Sequence, residues 1–115
     1  MATYRHPPLE AVDLPTALSA LADPLRIRIV QELRRRDNAI CSDLAEEFGV
    51  TLSTMSRQLK TLREAGVTRT FTDGQHRRTR LREEFATRFP GLLDLVFATE
   101  VPSDIVRSLT SVTER

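Results

Sequence analysis

Apolar residues along this chain recur at helical spacing, lose that spacing for some fifteen positions, and regain it. Leu14, Leu18 and Leu21 stand at i, i+4 and i+7 and predict a helix over residues 15–22. Leu25, Ile29, Val30 and Leu33 form a second stripe, with Ile27 beside it. Asp23 suits the N-cap of that helix and Pro24 its first position. Arg34, Arg35 and Arg36 fall in its last turn, where cations interact well with the helix dipole; contact with a phosphate is the sharper alternative. The "RHPPLE" segment ahead of these helices carries two prolines and is expected to be extended or loosely ordered.

Residues 42–66, "SDLAEEFGVTLSTMSRQLKTLREAG", hold two helical patterns separated only by "GVT". Ser42 is expected to cap the first, whose apolar side is Leu44, Ala45 and Phe48. Gly49 ends it in a left-handed C-cap. Thr51 caps the second, which Gly66 ends in the same way. At about 100° per residue, Met55, Leu59 and Leu62 share a narrow sector of this second helix. Ser53, Arg57, Lys60 and Glu64 lie opposite, with Ser56 and Thr61 at the margins.

The period then changes. Residues 67–72 and 75–81 read as paired strands around an Asp73-Gly74 loop. That loop puts Thr68, Thr79 and Leu81 on one face and Val67 and Phe71 on the other, and leaves open which face is buried. "REEFATRF" predicts a short helix ending before Pro90, and "PGLLDLVFA" a mostly apolar one. A last amphipathic helix, capped by Ser103, would align Ile105, Leu109 and Val112. The result is a mainly α chain with a small β-hairpin, the plan of a winged helix-turn-helix domain.

Composition narrows the class. The 115 residues suit one domain, 1–115, and 29% charged with 40% hydrophobic residues suits a soluble protein. No apolar run approaches membrane-span length and no signal pattern opens the chain, so a cytoplasmic location is expected. One cysteine excludes an internal disulfide, and with two histidines it is too few for a convincing metal site. No Ser/His/Asp or Cys/His arrangement and no glycine-rich phosphate loop is present, so an enzyme is not expected and no cofactor is implied. The net charge of +1 hides an asymmetry: residues 51–82 carry eight Lys/Arg against two acids, net +6, and the remainder is −5. That distribution suggests a polyanion partner.

The polar face of the second helix fits double-stranded DNA. A major groove admits an α-helix, and short polar side chains with Arg or Gln read base edges there. Thr51, Ser53, Thr54, Ser56, Arg57, Gln58 and Lys60 are the candidate readers. The hairpin, residues 67–82, fits a wing, with Gln75, His76, Arg77, Arg78 and Arg80, and Arg82 beyond, following the DNA backbone. Cys41 reads either as a small core residue or as a thiol redox sensor. A winged-helix module that binds protein instead of DNA is the competing reading.

"ALADPLRIRIVQEL" followed by "SDLAEEFGVTLSTMSRQLKTLREAGV" resembles the ArsR (arsenic-repressor-like) family of bacterial transcription factors, over about residues 18–81. The resemblance implies a homodimer that binds an inverted-repeat operator, usually as a repressor. It implies dimerisation through the terminal helices, here residues 11–22 and 83–115. Leu14, Leu18 and Leu21 near one end, and Leu92, Leu93, Val96 and Phe97 near the other, suit such an interface. Metal sensors of the family carry a Cys-x-Cys pair where this chain has Ile40 and Ser42, and others use histidines on a last helix that lacks them here. A typical metal-sensing role is therefore not expected, and whether a small-molecule effector acts on the protein stays open at the level of sequence.

Overall fold

Two aspartate caps start the helical part of the computed structural model, which describes residues 4–101. Asp13 accepts from the Thr16 N–H at 2.9 Å and opens α1 (Leu14–Ala20), one residue earlier than the apolar spacing suggests. Asp23 accepts from the Arg26 N–H at 3.0 Å and opens α2 (Pro24–Arg34), with Pro24 at its start. Leu25, Ile29, Val30 and Leu33 are all buried. Arg36 does not serve the end of α2. Its guanidinium pairs with Glu32 at 2.8 Å and with Glu47, so it ties α2 to the next helix.

A two-residue strand, β1 (Ala39–Ile40), precedes α3 (Cys41–Phe48) and corrects the expected start of that helix. Pairing holds Ile40 extended, and the helix begins at Cys41 with no side-chain cap. Ser42 is an exposed residue inside the first turn. After α4 (Leu52–Glu64) come β2 (Thr68–Asp73) and β3 (His76–Leu81), in a sheet of order β1-β3-β2, antiparallel throughout.

The hairpin closes on Asp73 paired with His76, so its loop is Gly74-Gln75 rather than Asp73-Gly74. An Asp-Gly type I′ turn needs positive φ at both loop residues. Among the described residues only glycines have positive φ, and Gly74 sits at +62°. A type II′ loop, with glycine first, meets that condition. The register moves by two residues, so each side chain keeps its face. Thr68, Thr70 and Thr79 are buried with half-buried Leu81 beside them, while Phe71 lies half-exposed on the other side. The threonine face is the core face.

The short helices α5 (Glu84–Arg88) and α6 (Leu92–Ala98) close the core. Phe85 and Phe89 pack with ring centroids 5.1 Å apart. The Gln31 side chain donates to the Val96 and Thr99 carbonyls at 2.9 and 2.5 Å, fastening α6 to α2. The helix expected after Ser103 lies outside the described residues.

The N-terminal segment is not loose. The Thr70 N–H on the free edge of β2 donates to His6 Nε2 at 3.0 Å. Arg82 donates to the Pro7 carbonyl at 2.6 Å, and Arg88 to the Leu9 and Val12 carbonyls at 3.1 and 3.0 Å. Leu9, buried in a 3-10 turn (Leu9–Ala11), fills the space over Gly66, where any Cβ would collide with it. Gly66 also holds φ +79°, so the end of α4 needs glycine for two reasons.

Candidate nucleic-acid interface

The turn between α3 and α4 is three residues long. Gly49 takes φ +68° in an αL C-cap, and the Thr51 hydroxyl accepts from the Thr54 N–H at 3.0 Å to start α4. Met55, Leu59 and Leu62 anchor one side of α4 in the core, each 2% exposed or less. Ser53, Arg57, Lys60 and Glu64 are exposed on the other, with Ser56 and Thr61 half-exposed at its edges. Arg57 Nη2 donates to the Thr54 hydroxyl at 3.2 Å, which steadies the guanidinium over the first turn.

Two of the expected readers have other partners. Thr54 is buried and belongs to the cap of its own helix. The Gln58 amide oxygen accepts from Arg26 Nη1 at 2.8 Å, and Arg26 also donates to the Ala20 and Ser19 carbonyls. Gln58 thus latches α4 to the junction of α1 and α2. A residue that periodicity conceals takes a place at the surface: Leu52 is 43% exposed. Its spacing to Met55 and Leu59 assigns it to the apolar stripe, yet the first turn of α4 leaves it uncovered.

The wing arginines divide between two faces. Arg77 shares the inward face with Thr79, toward α3 and α4, and makes no hydrogen bond or ion pair with the described residues. Arg78 and Arg80 lie on the outer face. Arg78 pairs with Asp73 at 3.0 Å and donates to Asn38 at 2.9 Å, and Arg80 lies 3.6 Å from Asp37. Gln75 and His76 are exposed at the tip. Arg82, grouped with these from the sequence, turns inward to Pro7 and is only 9% exposed.

The apolar residues expected at a dimer interface also divide. Leu14 and Leu18 are 49% and 46% exposed on one side of α1. Leu21, Leu93 and Val96 are buried in the chain's own core, and Leu92 and Phe97 are half-buried against it. The large exposed apolar side chain of α6 is instead Leu95, at 66%.

Cys41 is 4% exposed. Burial pushes its thiol pKa up, against the opposing pull of Arg77 and Arg63. A buried, protonated thiol suits the core reading better than the redox one. Among the described residues no three His, Cys, Asp or Glu side chains cluster where they could hold a metal ion.

A helix-turn-helix domain model matches residues 21–70, the segment from the end of α1 to the middle of β2. The HTH-type transcriptional regulator YceK of Bacillus subtilis is 36% identical over 77 residues, covering 65% of this chain and 77% of that protein. The chain belongs to the HTH-type transcriptional regulators. Within them, solved structures indicate the ArsR-like winged helix-turn-helix type. A possible transcriptional regulator for arsenical resistance superposes with a TM-score of 0.61 at 29% identity, covering 81% of this chain and 95% of that one. Rv0081 of Mycobacterium tuberculosis superposes at 0.60 with 26% identity, covering 86% and 91%. By sequence, Rv0081 is 43% identical over 54 residues, 47% of either chain. This regulator is therefore a DNA-binding transcription factor and not an enzyme, and none of its described helices is long and apolar enough to cross a membrane.

Proposed function

We propose that this regulator is a cytoplasmic homodimeric repressor, one domain per chain, that reads an inverted-repeat operator with α4. The observation that carries the reading is the outer face of α4, where two cations (Arg57, Lys60) and three hydroxyl residues (Ser53, Ser56, Thr61) precede the first acid, Glu64. Ser53, Ser56 and Arg57 contact base edges, with Thr51 and Lys60 on the flanking phosphates. Exposed Leu52 meets a thymine methyl or a sugar. Gln75, His76, Arg78 and Arg80 follow the backbone beside the wing, their exposed carboxylate partners giving way to phosphates. The exposed Leu14 and Leu18 pair on α1 and Leu95 on α6 support a protomer contact through the terminal helices.

Binding-site selection from sheared genomic DNA, followed by titration of the selected duplex, tests this reading. The expected result is two protomers per inverted repeat, with log affinity falling against log salt by about 0.9 per phosphate contacted. A shallow salt slope, or one protomer per site with a monomeric free protein, would overturn it. A selected site placed in a promoter should lower reporter output when the regulator is expressed; a rise would refute repression.

A further inference from the structure

The inward turn of Arg77 leaves it facing two cations of α4 across a cavity of about 190 Å³. Lys60, Arg63 and Arg77 line this space together with Ser56, Tyr4 and the buried Cys41. No carboxylate lines it. This distinguishes it from the outer wing face, where Asp73 and Asp37 attend the arginines. Arg63 is held in place: Nη1 donates to the Thr70 hydroxyl at 3.4 Å, and the guanidinium stacks on the Tyr4 ring at 5.0 Å. Its Nε and Nη2 remain without a partner among the described residues. Lys60 and Arg77 likewise have no hydrogen bond or ion pair there. The fields of Arg77 and Arg63 both reach the Cys41 thiol, which lines the same space.

Three cations around one small, partly enclosed volume with no counter-charge repel one another. Each would be stabilised by a shared anion that accepts from several donors at once. A guanidinium fork fits carboxylate and phosphate alike, but two guanidinium groups, an ammonium and a hydroxyl around one space call for an acceptor with more than two oxygens, which a tetrahedral oxyanion supplies and a carboxylate does not. We propose that this cavity, between the recognition helix, the wing and the N-terminal segment, binds an oxyanion of the phosphate class. Lys60 belongs also to the DNA-facing side of α4, so occupancy of the cavity bears directly on DNA binding. The coupling to DNA rests on the reading given above; binding of the anion to the free protein does not.

Tyr4 provides the signal, because the chain has one tyrosine and no tryptophan. Inorganic phosphate titrated into the full chain, in chloride buffer at constant ionic strength, should change tyrosine fluorescence saturably, with calorimetry giving one site per chain. Losing one charged donor should weaken binding about tenfold in Arg63→Met, and similarly in Lys60→Gln. Lys60 is exposed, so the second variant tests the site even where the first perturbs the segment at Tyr4. A response that does not saturate, that chloride reproduces, or that both variants retain at full affinity would overturn the proposal. Adding a short random duplex distinguishes the sources of the oxyanion. Displacement of phosphate by the duplex identifies the DNA backbone as the occupant. Simultaneous binding identifies a free anion as an effector.

Discussion

Two cationic surfaces of this regulator differ in what balances their charge. On the outer face of α4, Lys60 makes no ion pair among the described residues, although Glu64 lies one turn on, and Arg57 rests on a neutral hydroxyl. On the outer face of the wing, Arg78 and Arg80 are attended by Asp73 and Asp37. Exposed ion pairs of this kind are worth about 0–1 kcal/mol, so they hold the arginines without committing them. The helix offers charge fixed by a helix buried along its other side. The wing offers charge that can exchange one partner for another. The first arrangement suits discrimination between bases, and the second suits tolerant attachment to any backbone.

The largest effect should come from loosening the buried side on which the helix depends. Leu62→Ala empties a fully buried position and should cost about 2–5 kcal/mol, read as a lower urea midpoint at unchanged m-value. DNA binding of the remaining folded fraction should keep its selectivity. A variant that stays as stable as the parent would show that α4 is not anchored by this stripe. Arg57→Ala cuts the opposite side. Stability should be nearly unchanged, and discrimination between the selected duplex and a random one should fall by about 1–3 kcal/mol. An equal loss for both duplexes would move Arg57 from base reading to phosphate contact and remove the contrast with the wing.

Asp73→Asn tests the exchangeable side. Freed from its partner, Arg78 should strengthen binding to selected and random duplexes together, by less than about 1 kcal/mol, with a steeper salt dependence. A gain confined to the selected duplex would mean that the wing also reads sequence.

The same contrast explains what could be read from the chain. On α4, the 3.6-residue period, the Thr51 cap and the two glycines agree, and the exposed set of Ser53, Arg57, Lys60 and Glu64 follows from the wheel. The exceptions there are long-range. Gln58 meets Arg26, 32 residues away, and no local pattern records that bond. On the wing, alternation alone assigned the faces, but four arginines in six positions gave no clue to which would pair. Asp37 and Asn38 reach Arg80 and Arg78 because of β1, a strand of only two residues that has no sequence signature of its own. Arg82 looked like a wing cation until Pro7 supplied a carbonyl for it.

The docked N-terminal segment gives the smallest effect and the one most dependent on conditions. His6 can accept the Thr70 N–H only while Nε2 is unprotonated. Burial lowers its pKa below the ordinary value near 6.5, and the charges of Arg69, Arg82 and Arg63 lower it further. The unfolded chain therefore takes up this proton at higher pH than the folded one. The contribution of His6 is complete above about pH 6.5 and is lost as the pH falls through the folded value. For a half-exposed group the change should be a few tenths of a kcal/mol. Melting temperatures between pH 7.5 and 5 should fall more for the parent than for His6→Phe, which has no proton to take up. NMR should show the Thr70 amide shift titrating with the His6 ring. Parallel melting curves for the two proteins, with an unmoved Thr70 resonance, would mean that the segment is held by the Arg82 and Arg88 bonds alone. The edge of the wing would then be insensitive to protons.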